Sequence, residues 1–157
     1  MPSIYYHFGS KEGLYQALMR EHFSAFESLM EEFKQTGNAR ERIKSYIIST
    51  YLRMAKDVDF LRLMRIISYG PPQSAPPFDI ESYRRKFRKF LTAMIKNGVK
   101  SGEFRSANAD DMTWIISAVI HAAAEDLCSI PGKEVDKKKL GRILDTILDG
   151  FSAVKRP

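Results

Sequence analysis

Apolar residues return at steps of three and four along almost the whole chain, and no segment alternates with the two-residue period of a half-buried strand. That pattern restricts the protein to an all-α fold. Local signals then delimit the helices. Ser10 opens one that runs to about residue 35, with Leu14, Leu18, Phe23, Phe26, Met30 and Phe33 along one side. Asn38 with Glu41 is close to a capping box and starts a second, to about 56, carrying Ile43, Ile47, Tyr51 and Met54. Asp57 caps a short third through Phe60, Leu63, Met64 and Ile67. Two proline pairs and a glycine make 70–77 a loop. A long helix covers about 79–101 and closes at Gly102. Asn108 with Asp111 starts the helix 109–129, which Pro131 and Gly132 end, and Asp136 caps the last, to about 154.

With 157 residues, one domain is the simplest reading, able to bury roughly 70% of its unfolded surface. The single cysteine, Cys128, excludes an internal disulfide and a thiolate metal cluster within one chain, and reads as a small buried residue. Met1 leads into a polar-aromatic segment rather than a secretory signal. The longest uncharged run, Met112 to Ala124, is too short to cross a bilayer. The expectation is a soluble, cytoplasmic protein with no membrane partner.

The net charge of +6 suggests an acidic partner, but its placement matters more. Residues 1–35 hold Lys11, Arg20 and Lys34 against Glu12, Glu21, Glu27, Glu31 and Glu32, a local balance of −2. The excess lies in Arg84, Arg85, Lys86, Arg88 and Lys89, and in Lys137 to Lys139, which read as solvated helix faces.

The first fourteen residues read as the last turns of one helix, a break at Gly9 and the new helix capped by Ser10. Tyr5, Tyr6 and His7 can reach a phosphate or a base edge, and Ser10 and Lys11 sit where helical N–H groups face anions. The string Ile4-Tyr-Tyr-His-Phe-Gly-Ser-Lys-Glu-Gly-Leu14 resembles the end of the helix-turn-helix of TetR-family transcriptional regulators, where the recognition helix meets a connecting helix. Asn97 to Arg105, followed by Asn108 to Asp111, is similar to the passage between that family's seventh and eighth helices, and Leu148-Asp-Gly-Phe151 to the end of its ninth. The resemblance implies a TetR-type ligand-binding and dimerisation domain of about six helices. It divides the chain into a helix-turn-helix remnant (1–9), a connecting helix (10–36) and a ligand-binding and dimerisation domain (37–157). The family's first two helices and the start of its recognition helix would precede Met1. It further implies DNA contacts, in the intact protein, for Ser3, Tyr5, Tyr6, His7 and Lys11.

The central helices carry Tyr51, Met54, Phe60, Met64, Tyr69, Phe87, Phe90, Met94, Trp114 and His121. Singly, each reads as ordinary core. As a set they suit an adaptable apolar pocket for a small-molecule effector, with Tyr51, Trp114 and His121 as polar handles. TetR relatives enclose such a pocket between the equivalent helices. The last two helices present more apolar face than one pair buries against a single core. Ile115, Val119, Ala122, Ala123, Leu140, Ile143, Leu144, Ile147, Leu148 and Phe151 are therefore expected at a two-fold homodimer interface, as the family dimerises. His121 and Glu125 share a helix face but lack further ligands for a metal. No catalytic triad or phosphate loop is recognisable, so neither an enzyme nor a cofactor is expected. The functional expectation is a ligand-responsive TetR-type repressor whose dimer leaves operator DNA when an apolar or amphipathic ligand binds. The alternatives are a stand-alone helical binding or interaction module that never touches DNA, and a small enzyme using His121 and Glu125.

Overall fold

Each helix begins where a short polar side chain takes up a free backbone N–H. The computed structural model describes residues 7–34, 37–71, 75–129, 132 and 135–153. Ser10 accepts from the Gly13 N–H and starts α1 (Lys11–Glu32); Asn38 accepts from Glu41 and starts α2 (Ala39–Lys56). Asp57 closes α2 and, accepting from Phe60, opens α3 (Val58–Tyr69). Asp79 accepts from Ser82 at the head of α4 (Ile80–Lys100), and Gly102, at φ +79°, follows its end. Asn108 precedes α5 (Ala109–Ser129), but its side chain takes the N–H of Asp110 rather than that of Asp111. Asp136 accepts from Lys139 and starts α6 (Lys137–Phe151). The last helix stops at Phe151, short of the expected end, and Val154 lies outside the described residues.

The bundle is organised around α2, which among the described residues packs against α1, α3, α4, α5 and α6. It supplies Ile43, Tyr46, Ile47, Thr50 and Tyr51, all buried. Against them pack Leu91, Met94 and Ile95 of α4, Ile116 and Ile120 of α5, and Leu140, Leu144 and Leu148 of α6. Ion pairs seat α6 on α2: Lys44 meets Asp145 at 2.7 Å and Arg40 meets Asp149 at 2.7 Å. The Lys44 hydrogen bond holds the Asp145 carboxyl below its ordinary range. No helix among the described residues is long and apolar enough to cross a membrane.

The turn after α4 is locked to the end of α6. Phe104 forms an isolated antiparallel bridge with Ser152, and its ring meets Phe151 edge-on at 6.4 Å. Gly98 makes this closure possible. A Cβ there would come within 2.4 Å of the Phe104 ring and 2.8 Å of the Ala39 Cβ. Both neighbours are buried and cannot yield. Gly98→Ala is therefore expected to lower the urea midpoint, with a loss of about 1–3 kcal/mol from overpacking. Gly150→Ala, with open space around its Cβ, serves as the control and should be neutral or slightly stabilising.

Candidate functional site

Helix α1 is held to the body at three levels. At its N-terminal half the Gln16 side chain donates to the Pro77 carbonyl at 2.6 Å. In the middle, Phe23 stacks on Phe78 (5.6 Å) and Tyr83 (4.3 Å) and meets Phe60 edge-on. Glu27 pairs with Lys86 of α4 beside this stack. At the far end the Arg42 guanidinium of α2 donates to the carbonyls of Phe33 and Lys34, both at 2.8 Å, and so caps α1. The N-terminal ends of α3 and α4 thus grip the same stretch of α1.

His22 and Asp57 complete that grip. The imidazole stacks on Phe60 at 3.9 Å. Its Nδ1 lies 3.0 Å from the Leu18 carbonyl and its Nε2 2.6 Å from the Asp57 carboxylate. Both neighbours are hydrogen-bond acceptors facing the ring nitrogens. The His22 hydrogen bond, followed by the Phe60 N–H, holds the Asp57 carboxyl below its ordinary value. A small hollow of about 160 Å³ opens beside the pair, lined in part by Phe26, Met54 and Phe60.

A larger groove of about 960 Å³ runs between α4 and α5 on the opposite side of α4's contact with α2. Arg85, Arg88, Lys89 and Lys96 wall it on α4; Trp114, Ser117, Ala118, His121, Ala122 and Glu125 line it on α5. The two helices are registered by a hydrogen bond between the Thr92 and Thr113 hydroxyls at 2.8 Å. Trp114 is 74% exposed, the most exposed of the large apolar side chains. Glu125 is engaged by Arg65 at 2.8 Å and by the Ser129 hydroxyl. Burial, with Glu125 nearby, pushes the Cys128 thiol up.

The ten residues expected to wall one pocket are not brought together. Trp114 and His121 line the α4–α5 groove, with the Tyr69 hydroxyl 3.4 Å from His121 Nε2. Met54 and Phe60 line the small hollow instead. Tyr51 and Met94 belong to the closed core, Tyr51 donating its hydroxyl to the Val135 carbonyl. Phe87 and Phe90 pack around buried Tyr46, at 5.8 and 5.0 Å. Met64 is half-buried, and Tyr69 is largely exposed. The reason is α2: its broad apolar face draws in the aromatic side chains of α4 that the sequence leaves free to line a cavity.

The expected dimer residues divide in a similar way. Ala123, Leu140, Leu144, Leu148 and Phe151 are spent in the protein's own core, each at 5% exposure or less. Ile115 and Ala122 remain exposed, and Val119, Ile143 and Ile147 are half-buried, leaving a narrower apolar strip along α5 and α6. Of the expected DNA contacts, Ser3, Tyr5 and Tyr6 lie outside the described residues. His7 and Lys11 are exposed on either side of the break at Gly9, whose φ is +69°. From the sequence, Arg85, Arg88 and Lys89 read only as a solvated helix face and Asp57 only as a cap; neither the groove the cations wall nor the pairing of Asp57 with His22 was expected. A spacing of four between Arg85 and Lys89 was the available signal for the first; nothing local signals the second.

The sequence matches no protein-family model and no curated protein. The fold, however, has solved counterparts. A ketosteroid transcriptional regulator of Mycobacterium tuberculosis aligns with 96% of this chain and 77% of its own, with a TM-score of 0.71 and 21% identity. A regulatory protein of the TetR family from Rhodococcus aligns with 99% of this chain and 82% of its own, with a TM-score of 0.70 and 18% identity. A TetR transcriptional regulator from Streptomyces coelicolor aligns with 97% and 80%, with a TM-score of 0.59 and 19% identity. At these identities the likeness is one of fold.

The His22–Asp57 contact has a defined pH signature. A carboxyl whose pKa is lowered by folding contributes stability above its unfolded pKa of about 3.9, and that contribution is lost as pH falls through the folded value. Asp57→Asn keeps the cap on Phe60 but removes the charge. Because Asp57 is 47% exposed, the effect is of the order of 0.5 kcal/mol, or about 2 °C in melting temperature. The deficit relative to the unmodified chain should be present near neutrality and close once the pH passes below the depressed carboxyl value. Differential scanning fluorimetry across pH checks this, and adding His22→Ala to Asp57→Asn should cost little more.

Proposed function

We propose that this chain, whose fold is that of TetR-family regulators, works as a ligand-responsive transcriptional repressor. In this reading a homodimer holds operator DNA, through a DNA-binding domain that reaches this chain at 1–9, until a small apolar or amphipathic ligand binds. The observation that carries the reading is the grip on α1. A helix that leads directly from the His7–Lys11 break is held by the ends of α3 and α4 through Phe23, His22 and Gln16. A ligand that shifts α4 therefore shifts α1.

The physical consequence follows from geometry. Two DNA-reading heads engage successive major grooves only at a separation near one helical turn, about 34 Å. A ligand that binds better to the arrangement with another separation moves the dimer toward it and lowers operator affinity. His7 and Lys11, exposed at the start of α1, would lie on the DNA side. The effector would enter at the α4–α5 groove, where Trp114 and His121 are both accessible.

The dimer would form along the strip Ile115, Val119, Ala122, Ile143 and Ile147. A four-helix interface made from two copies of α5 and α6 would need upward of about 2,000 Å² of buried surface. Ile115→Glu with Ile147→Glu should give monomers by sedimentation velocity while keeping the helical content, since neither side chain is fully buried. Phe151 is unsuitable for this test because it belongs to the core. Chromatin immunoprecipitation of the natively expressed protein should recover a short, imperfectly palindromic DNA site. A stable monomer of the unmodified chain at micromolar concentration, or a dimer that recovers no DNA, would overturn the repressor reading.

A further inference from the structure

The basic run on α4 divides according to what faces it. Arg84 and Arg88 reach Glu81, at 3.8 and 2.7 Å, and Lys86 reaches Glu27. Among the described residues no acid pairs with Arg85 or Lys89. These two cations, four apart and so neighbours on one face, both wall the α4–α5 groove, where Lys96 joins them without an acid of its own. Like charges at that spacing repel unless something between them carries the opposite sign. The acids of the groove do not fill that role: Glu125 is taken by Arg65, and Asp110 lies at the other end, at the start of α5.

Between the charged groups, Ala93, Ala118, Ala122 and Trp114 give the groove an apolar surface set among threonine and serine hydroxyls. Thr92 against Thr113 sets the antiparallel register, which places Arg85 and Lys89 beside His121 and Ser117. Trp114 lies two turns from His121 along α5, about 10 Å away at 1.5 Å per residue. Ala118, one turn from each, leaves the space between them open. The Ser117 hydroxyl is buried without a hydrogen-bond partner on the same wall. Arg85 and Lys89 with His121, a shallow floor of small side chains, the exposed indole, and beyond it Lys96 with Asp110 therefore occur in that order.

We propose that this groove binds an organic anion with a flat apolar body about 10 Å long. Its carboxylate, sulfonate or phosphate sits between Arg85 and Lys89, near His121, and its body lies over Ala118 against the Trp114 ring. Two cations on adjacent turns can share the oxygens of one anionic group, and the low polarity of the floor strengthens that attraction. This deepens the repressor reading, on which the role of the ligand as effector rests, by naming its chemical class.

The test uses two probes with the same aromatic body, the anion 8-anilinonaphthalene-1-sulfonate and the neutral N-phenyl-1-naphthylamine. The anion should bind the full chain saturably with energy transfer from Trp114, at least tenfold more tightly than the neutral probe. Raising the salt should weaken only the anion. Arg85→Gln with Lys89→Gln should weaken anion binding about tenfold and leave the neutral probe unchanged. Lys137→Gln with Lys138→Gln makes the same change of net charge on α6 and should alter neither. Trp114→Phe should keep the fold, by circular dichroism, and abolish the energy transfer.

Equal affinity for the two probes would overturn the proposal, as would equal loss in the α4 and α6 variants. So would Trp114 emission that follows protein concentration rather than probe, since a second copy would then cover the groove. The two readings fail separately. If the anion binds as described but no anion of this class alters DNA recovery, the repressor reading alone fails. If a natural effector releases DNA equally from the unmodified chain and from the Arg85→Gln, Lys89→Gln variant, the groove assignment alone fails.

Discussion

Every other helix of this protein leans on α2. Ile43, Tyr46, Ile47, Thr50 and Tyr51 follow steps of three and four and form one broad buried face along it. An apolar face that long and broad has to be covered along its length, and that requirement sets the positions of α4, α5 and α6 together. It also decides what cannot be a pocket. Phe87 and Phe90 close around Tyr46, and Met94 seals the layer beneath them. Burial keeps the Tyr46 hydroxyl protonated well above the ordinary phenol range, as expected of a wall with no water behind it.

With the middle of the bundle filled, function is displaced to its margins. The clasp around Phe23 and His22 joins α1 to the adjoining ends of α3 and α4. It is built from stacked rings and two ion pairs at the surface rather than from interdigitated core side chains. The α4–α5 groove touches the same helix from its other side. Helix α4 thus joins an open, cation-walled groove to the grip on α1, with Leu91 and Ile95 buried in the core between them. On the proposed reading, this arrangement would give a bound ligand a mechanical route to α1 without passing through the core.

What could be read in advance depended on the distance over which each feature is encoded. Ser10, Asn38, Asp57, Asp79 and Asp136 each satisfy an N–H three residues ahead, so the starts of five helices were legible from neighbouring residues alone. The apolar spacing likewise showed which faces turn inward on α2 and α6. The sites were less legible. Leu140, Leu144 and Leu148 form an apolar face whether α2 or a second copy covers it, and periodicity cannot tell the two apart.

By itself, then, the sequence determined an all-α chain, the number of its helices and where they begin, because caps and periods act within one or two turns. The tertiary structure decided the rest. His22 meets Asp57 across 35 residues, and Lys86 finds Glu27 across 59, while Arg85 and Lys89 on the same helix meet no acid among the described residues. Those outcomes depend on the angle and register at which helices pack, and the register is set by the crowding of every side chain in the interface around α2. A run of like charges has one reading in one dimension; only packing divides it into cations that hold the fold together and cations left facing an open groove.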